Sequence, residues 1–326
     1  MINLDKKKLI RATRLIIALS TGSIASYLLQ IPMSGWVMIT ACVVLFDQDT
    51  VGGTINRSKL RFMATFYGAM ISLGCIFFFP HNIILIWLVI GLTTFICAYI
   101  YMSTPKSYIG LLGSMTLVII LIGSHGPDLH TAIYRTMDIA IGVLFALLSM
   151  ILFFPEYAID RAHTLTLKSL GEIDKLIKTI KNEHNLEKIR QHTQTVEMTL
   201  LQDIINFNKT IDDAKHELKA RRNPELIEKY NQSLLQIRRL YRLMMFIFHY
   251  EINQTHIDNK KLHLIMTQIS TIIDKFYMPQ NEASQIDLIQ YEKLEELIME
   301  TPEETLRKAL LNFAIELKRL NLLMIK

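Results

Sequence analysis

At 326 residues, 51% of them hydrophobic and with a net charge of +5, the chain is too apolar for an ordinary soluble protein of its size. The first 155 residues carry ten Lys or Arg against five Asp or Glu, while the rest carries 25 of each. The charge excess thus sits in the apolar half, which argues against a nucleic-acid partner, because a binder of phosphate backbones places its cations on a soluble face.

The chain opens with Lys6, Lys7 and Lys8 and an apolar run from Leu15 that contains Ser23-Ile24-Ala25-Ser26. These small residues lie inside the run rather than after it, so an uncleaved first helix is expected instead of a secretory signal. A bilayer core of about 30 Å needs roughly 17 to 25 apolar helical residues per crossing. Six transmembrane spans are predicted on that basis, at about residues 9–29, 33–46, 60–79, 83–102, 107–123 and 132–154. Pro32, Asp47, Pro80-His81-Asn82, Pro105 and Gly126-Pro127-Asp128 separate them, and the second is the shortest.

Short cytoplasmic loops are enriched in Lys and Arg. Arg11 and Arg14 at the first span, Arg57, Lys59 and Arg61 between the second and third, and Lys106 between the fourth and fifth all fall on one side. The intervening loops around Gln30 to Ser34, Pro80 to Asn82 and Ser124 to Thr131 have neither residue type. Both termini are therefore expected in the cytoplasm, with the chain in a bacterial-type inner membrane.

The third and sixth spans share a pattern. Arg61 is followed seven residues on by Gly68 and then by Phe77-Phe78-Phe79-Pro80; Arg135 is followed at the same interval by Gly142 and then by Phe153-Phe154-Pro155. Three crossings separate them, so a three-plus-three inverted repeat is expected, although shared boundary punctuation would give the same Arg and Pro. Gly68 and Gly142 are candidate helix-packing positions.

Trp36-Val-Met-Ile-Thr40 with the loop Asp47 to Thr54, Arg61 with Thr65 and Gly68, and Arg135 with Gly142 and the closing Phe-Pro resemble the fusaric-acid-resistance-like or aromatic acid exporter family. That family is distantly similar to plant aluminium-activated malate channels. The resemblance implies a homodimer, since many members hold the membrane unit twice, and export of organic, often aromatic, anions.

Ionisable residues at membrane depth usually face a bundle interior or a water-filled path. Arg61 and Arg135 are candidate anion-attracting groups at opposite ends of a pathway, because a guanidinium fork suits a carboxylate. Each can instead be structural: Arg61, like Arg14, by snorkelling to the interface, and Arg135 by neutralising Asp138 three residues on. Asp138 is also a candidate proton carrier. Trp36 and Thr65 complete the pathway candidates, with Tyr67, Tyr99, Tyr101 and Tyr108 expected chiefly as interfacial anchors. Cys42, Cys75 and Cys97 lack ligand spacing, and His81, His125 and His130 share none, so neither metal nor cofactor is expected.

From residue 156 onward, apolar residues recur every three or four positions through Leu165 to Ile180, Val196 to Ile211, Leu226 to Ile252, Leu262 to Phe276, Ile286 to Ile298 and Leu306 to Met324. About six amphipathic helices in a cytoplasmic bundle follow, with a Pro start at Asn223-Pro224 and a capping box at Thr301-Pro302-Glu303-Glu304. Lys219 to Arg222 and Arg238-Arg239-Leu-Tyr-Arg242 are basic clusters expected on solvated or lipid-facing surfaces. The fold class is all-α throughout. No nucleophile motif, phosphate loop or carboxylate pair marks an enzyme. The leading expectation is an organic-anion exporter; its rival is a membrane-anchored scaffold.

Overall fold

The computed structural model describes residues 6–79, 82–104, 106–123, 129–182, 186–218, 222–253, 259–277 and 288–325. Pro80-His81, Pro105, His125, Gly126-Pro127-Asp128, the segment 219–221 of the first basic cluster and the expected helix start at Ile286 lie outside them. Twelve α-helices occur among the described residues. Six fall in one compact unit, Met1–Ala158: α1 (Lys6–Leu28), α2 (Gly35–Leu45), α3 (Val51–Phe78), α4 (Ile83–Tyr101), α5 (Ser107–Ile122) and α6 (Leu129–Leu152).

The helix α1 from Lys8 onward, and α3, α4 and α6, are long and apolar enough to cross a bilayer. The other two are shorter than expected. With 11 and 16 residues, α2 and α5 rise only about 16 and 24 Å, below the hydrocarbon thickness. Met33, at a φ of 60°, and the turns around it keep α2 from reaching back into the preceding loop.

Helix α3 departs furthest from its predicted span, beginning at Val51 rather than Leu60. Thr50 caps it, in extended conformation, by accepting a hydrogen bond from the Gly53 N–H at 3.1 Å. The residues Thr54 to Lys59 look like loop by hydropathy but continue the helix, because the polarity of α3 is inside out. Thr54, Ser58, Arg61, Thr65 and Ser72 are buried along one stripe, while Phe62, Met63, Phe66, Tyr67 and Met70 are exposed on the other faces.

Two helix pairs in this unit run parallel. On α2 and α6, Trp36 meets Arg135, while Ala41 and Leu45 share a cluster with Ala146 and Met150 further along. On α3 and α5, Arg57 meets Tyr108, and Cys75 lies with Leu117 and Leu121. The central α3 and α6 are antiparallel: Val51 packs with Ala146 and Met150, but Ala69 with Ala132. Outside these, α1 packs on α2 and α6, and α4 chiefly on α5.

Glycines set the closest approaches. A Cβ on Gly68 would lie 2.7 Å from the Gly113 carbonyl oxygen and 3.0 Å from Thr116 Cβ; one on Gly142 would lie 2.6 Å from the Val37 carbonyl oxygen and 2.7 Å from Thr40 Cβ. In both pairs a helix carbonyl, and the Thr three residues after it, fill the space that a side chain would need.

The second unit, Ile159–Lys326, holds α7 (Ala158–Asn182, bar its first residue), α8 (Leu186–Ala214), α9 (Pro224–Asn253), α10 (Asn259–Lys275), α11 (Leu288–Met299) and α12 (Glu304–Ile325). Their apolar stripes meet in one core that includes Leu170, Ile177, Phe207, Leu240, Ile273, Leu294 and Phe313. Polar bridges pin the register: Lys168 to Asp203 at 2.7 Å, the Ser270 hydroxyl donating to Asp174 at 2.6 Å, and Arg239 to Glu316 at 3.2 Å. Arg239, in the second basic cluster, is thus a rim contact between α9 and α12. The expected capping box does not form, because α12 starts at Glu304 and the Thr301 hydroxyl has no partner.

His163 on α7 titrates below its ordinary value near 6.5, held down by burial and then by the Lys229 charge, against Asp160. The unfolded chain therefore takes up a proton there before the folded one, so this contribution is whole above about pH 6.5 and is lost on acidification. We expect the urea midpoint of the full-length protein to fall between pH 7.5 and 5.5, and to fall less in His163→Gln; an equal fall in both would remove His163 as the cause.

Candidate functional site

Four charged groups of the first unit lie inside it, while Lys8, Arg11, Asp47, Lys59 and Lys106 are exposed. Arg14, Arg61, Arg135 and Asp138 are each 4% exposed or less, while the outer faces are built from residues such as Leu88, Leu92, Phe95, Leu144 and Leu148. A bundle coated with apolar side chains and charged within is the reverse of a soluble domain, and burying such charges is costly unless something compensates them.

Arg135 and Asp138 lie on α6, about two turns and one turn before the close contact at Gly142. The Arg135 guanidinium stacks on Trp36, 3.8 Å from the ring centroid, so α2 covers one of its faces. Neither carboxylate oxygen of Asp138 has a hydrogen-bond partner, nor does Nε or Nη1 of Arg135. The pair acts on each other through charge without the direct bond expected from their spacing. Thr40, fully buried beside Gly142, also has an unpartnered hydroxyl. Unsatisfied donors and acceptors thus lie along the side of α6 that meets α2.

Arg61 lies ten residues into α3 and is 3% exposed, not at a helix end. Its charge reaches Arg135, so the two guanidiniums stand near the middle of the bundle rather than at opposite ends of it. The register of the antiparallel α3 and α6 causes this: with Val51 beside Ala146 and Ala69 beside Ala132, Arg61 and Arg135 fall within about two turns of the same level. Thr65 is fully buried one turn beyond, with its hydroxyl donating to the Arg61 carbonyl at 3.1 Å. Gly68 follows on the same stripe. The structure therefore gathers Arg61, Thr65, Arg135, Asp138 and Trp36 along the inner faces of three helices.

Arg14 belongs to the frame. Its guanidinium donates to the carbonyls of Phe153, at 2.9 Å, and Phe154, and the Ser149 hydroxyl donates to the Arg14 carbonyl at 2.7 Å. A cation at the end of α6 satisfies carbonyls that the helix leaves open and complements its dipole. Sequence reading took Arg57 as a loop cation and Tyr108 chiefly as an interfacial anchor, and passed over Ser58; Ser58 and Tyr108 are buried and Arg57 is half-buried beside them. The available signal was the spacing of Thr54, Ser58, Arg61 and Thr65 at four, three and four residues, one face of a helix. The short α2 and α5, in matching positions of the two halves, are a second signal.

Long apolar helices around inward-facing charges define a multi-span membrane protein. The model of the fusaric acid resistance protein family matches residues 8–321, and the chain belongs to that family, one of presumed efflux transporters and generally not of enzymes. It is also similar to the inner membrane protein YeeA of Escherichia coli (strain K12), with 25% identity over 231 residues that cover 70% of this chain and 64% of that protein. The chain thus spans less than two thirds of that relative's length. The resemblance read from Trp36, Arg61, Gly68, Arg135 and Gly142 holds at family level.

Proposed function

We propose that this protein exports organic carboxylates, aromatic ones among them, from the cytoplasm through the first helical unit. The carrying observation is the set of buried charges whose hydrogen-bonding atoms are left unsatisfied, Arg135 and Asp138 with Arg61 beside them, inside a bundle with an apolar exterior. A guanidinium binds a carboxylate in its plane, Trp36 presents an aromatic surface next to it, and the Thr40 hydroxyl adds a donor. Asp138 keeps the resting site near neutrality and serves as the proton-exchanging group.

In this reading all six apolar helices cross or enter the bilayer as a three-plus-three inverted repeat. The matched seats of Gly68 on α5 and Gly142 on α2, both parallel pairs, support it, as does the antiparallel α3 and α6. Both termini and the second unit lie in the cytoplasm, a homodimer is the assembly, and the second unit serves it by association or regulation. A bare scaffold anchor has no use for inward charges, which favours transport over that reading.

The inside-negative membrane potential drives a monovalent anion outward by about 2.3 kcal/mol per 100 mV. Proteoliposomes loaded with benzoate should therefore release it when the interior is made negative, faster than protein-free vesicles. Release equal to that of empty vesicles across a panel of aromatic and aliphatic carboxylates would return the protein to the scaffold reading.

A further inference from the structure

We propose that Arg57, Ser58, Arg61 and Tyr108 form a second anion site, for an organic carboxylate, that adjoins the one between Trp36 and Arg135 and has Arg61 at the boundary of the two. The proposal deepens the export reading and takes its substrate class from it. Arg57 and Arg61 are four residues apart on α3, so both project toward the same side. Tyr108 stands across from them on α5. The Arg57 guanidinium lies 3.5 Å over the Tyr108 ring, and both guanidiniums act on the Tyr108 hydroxyl. Tyr108 is buried, Ser58 and Arg61 are each 3% exposed, and Arg57 is half-buried.

These groups satisfy one another only in part: both guanidiniums reach the Tyr108 hydroxyl, while the Ser58 hydroxyl and the Nε atoms of Arg57 and Arg61 have no hydrogen-bond partner. Among the described residues no carboxylate pairs with either Arg: Asp49 is bound to Arg11 at 2.6 Å, and Asp47 is exposed. Two like charges one turn apart repel, and among the described residues no acidic side chain pairs with them. A carboxylate would take donors from both forks and from the two hydroxyls, and would turn the repulsion into shared attraction.

The two sites differ in charge. Beside Arg135 stands Asp138, so a carboxylate arriving there meets both signs; beside Arg57 and Arg61 it meets only positive charge. The α3 and α5 site therefore holds the anion more tightly. The other site takes it more weakly and passes it on, a division suited to vectorial movement.

The test is an equilibrium titration with benzoate of the full-length protein in nanodiscs, with no gradient across the membrane. Calorimetry reads total binding. In Trp87→Phe protein, Trp36 is the sole tryptophan, and its emission reads the site beside Arg135. Two components are expected. Arg57→Gln should weaken the tighter one at least tenfold and leave the Trp36 response in place. Tyr108→Phe, which keeps the ring and removes the hydroxyl, should weaken the same component less, and it carries the test should Arg57→Gln fail to fold. A single component, or tight binding unchanged in both folded variants, would overturn the proposal. Benzoate that binds in two components to a protein inactive in vesicles would sink export and leave this site standing; export with one component would do the reverse.

Discussion

Arg135→Met should abolish benzoate release and lower the stability of the protein, while Arg135→Met with Asp138→Asn should recover the stability and not the release. The reasoning starts from Asp138, whose two oxygens are buried without hydrogen bonds and whose compensating charge is Arg135. Removing one member of a buried charged pair strands the other, at about 3–5 kcal/mol. Neutralising Asp138 as well removes the stranded charge, so the double variant should melt close to the wild type. Transport does not return, because the guanidinium that would meet the carboxylate is gone; a loss of about 3 kcal/mol corresponds to roughly 100-fold in rate. Thermal melting and initial efflux rates of the four proteins of this cycle test the argument. Efflux restored together with stability would reduce Arg135 to a partner of Asp138.

Gly142→Ala should destabilise the protein and Gly74→Ala should not. In an ordinary helix the exchange of Gly for Ala is favourable by about 1 kcal/mol, through the reduced freedom of the unfolded chain. At Gly74 nothing lies within 4 Å of the added methyl, so the gain survives. At Gly142 the methyl would lie 2.6 Å from a backbone oxygen of α2, which no rotamer change can move aside. Overpacking of this kind costs about 1–3 kcal/mol. Thr40→Ser would relieve the contact of the Thr40 methyl but leave the carbonyl, and so should rescue Gly142→Ala only in part. A higher melting temperature for Gly142→Ala than for Gly74→Ala would show that α2 yields at this seat.

The sequence made the helices legible wherever hydropathy and burial agree. The six amphipathic helices of the second unit appear from their three- and four-residue spacing; α9, α10 and α12 start within three residues of expectation, while α7 starts seven residues earlier and α8 ten. In the first unit, the apolar α4 lies close to its expected span, since every face of it is apolar. Helix α3 was truncated by nine residues because Thr54, Asn56, Arg57, Ser58 and Lys59 read as loop to any scale that rewards apolar character. The burial of Thr54 and Ser58 depends on partners from other helices, which a single chain segment does not reveal. The same applies to Arg14: a cation near the start of an apolar run looks interfacial until the end of α6, some 140 residues later, supplies carbonyls for it. The Arg and Gly seven residues apart in α3 and α6 were, by contrast, plain in the sequence, and each of these glycines lies against a carbonyl of a neighbouring helix.

The packing of the first unit has a mechanical consequence. Helices α1, α2 and α6 form one block, fixed by the seat at Gly142, and α3, α4 and α5 another, fixed by the seat at Gly68; the blocks meet mainly where α3 crosses α6. Blocks that are stiff within and joined along one seam are suited to rocking about it. The seam is clamped at one end, where the Val51 N–H binds the Glu156 carbonyl at 3.0 Å. Rotation would therefore pivot near that clamp and swing widest at the far end, so that the two mouths of the buried stripe would open by unequal amounts.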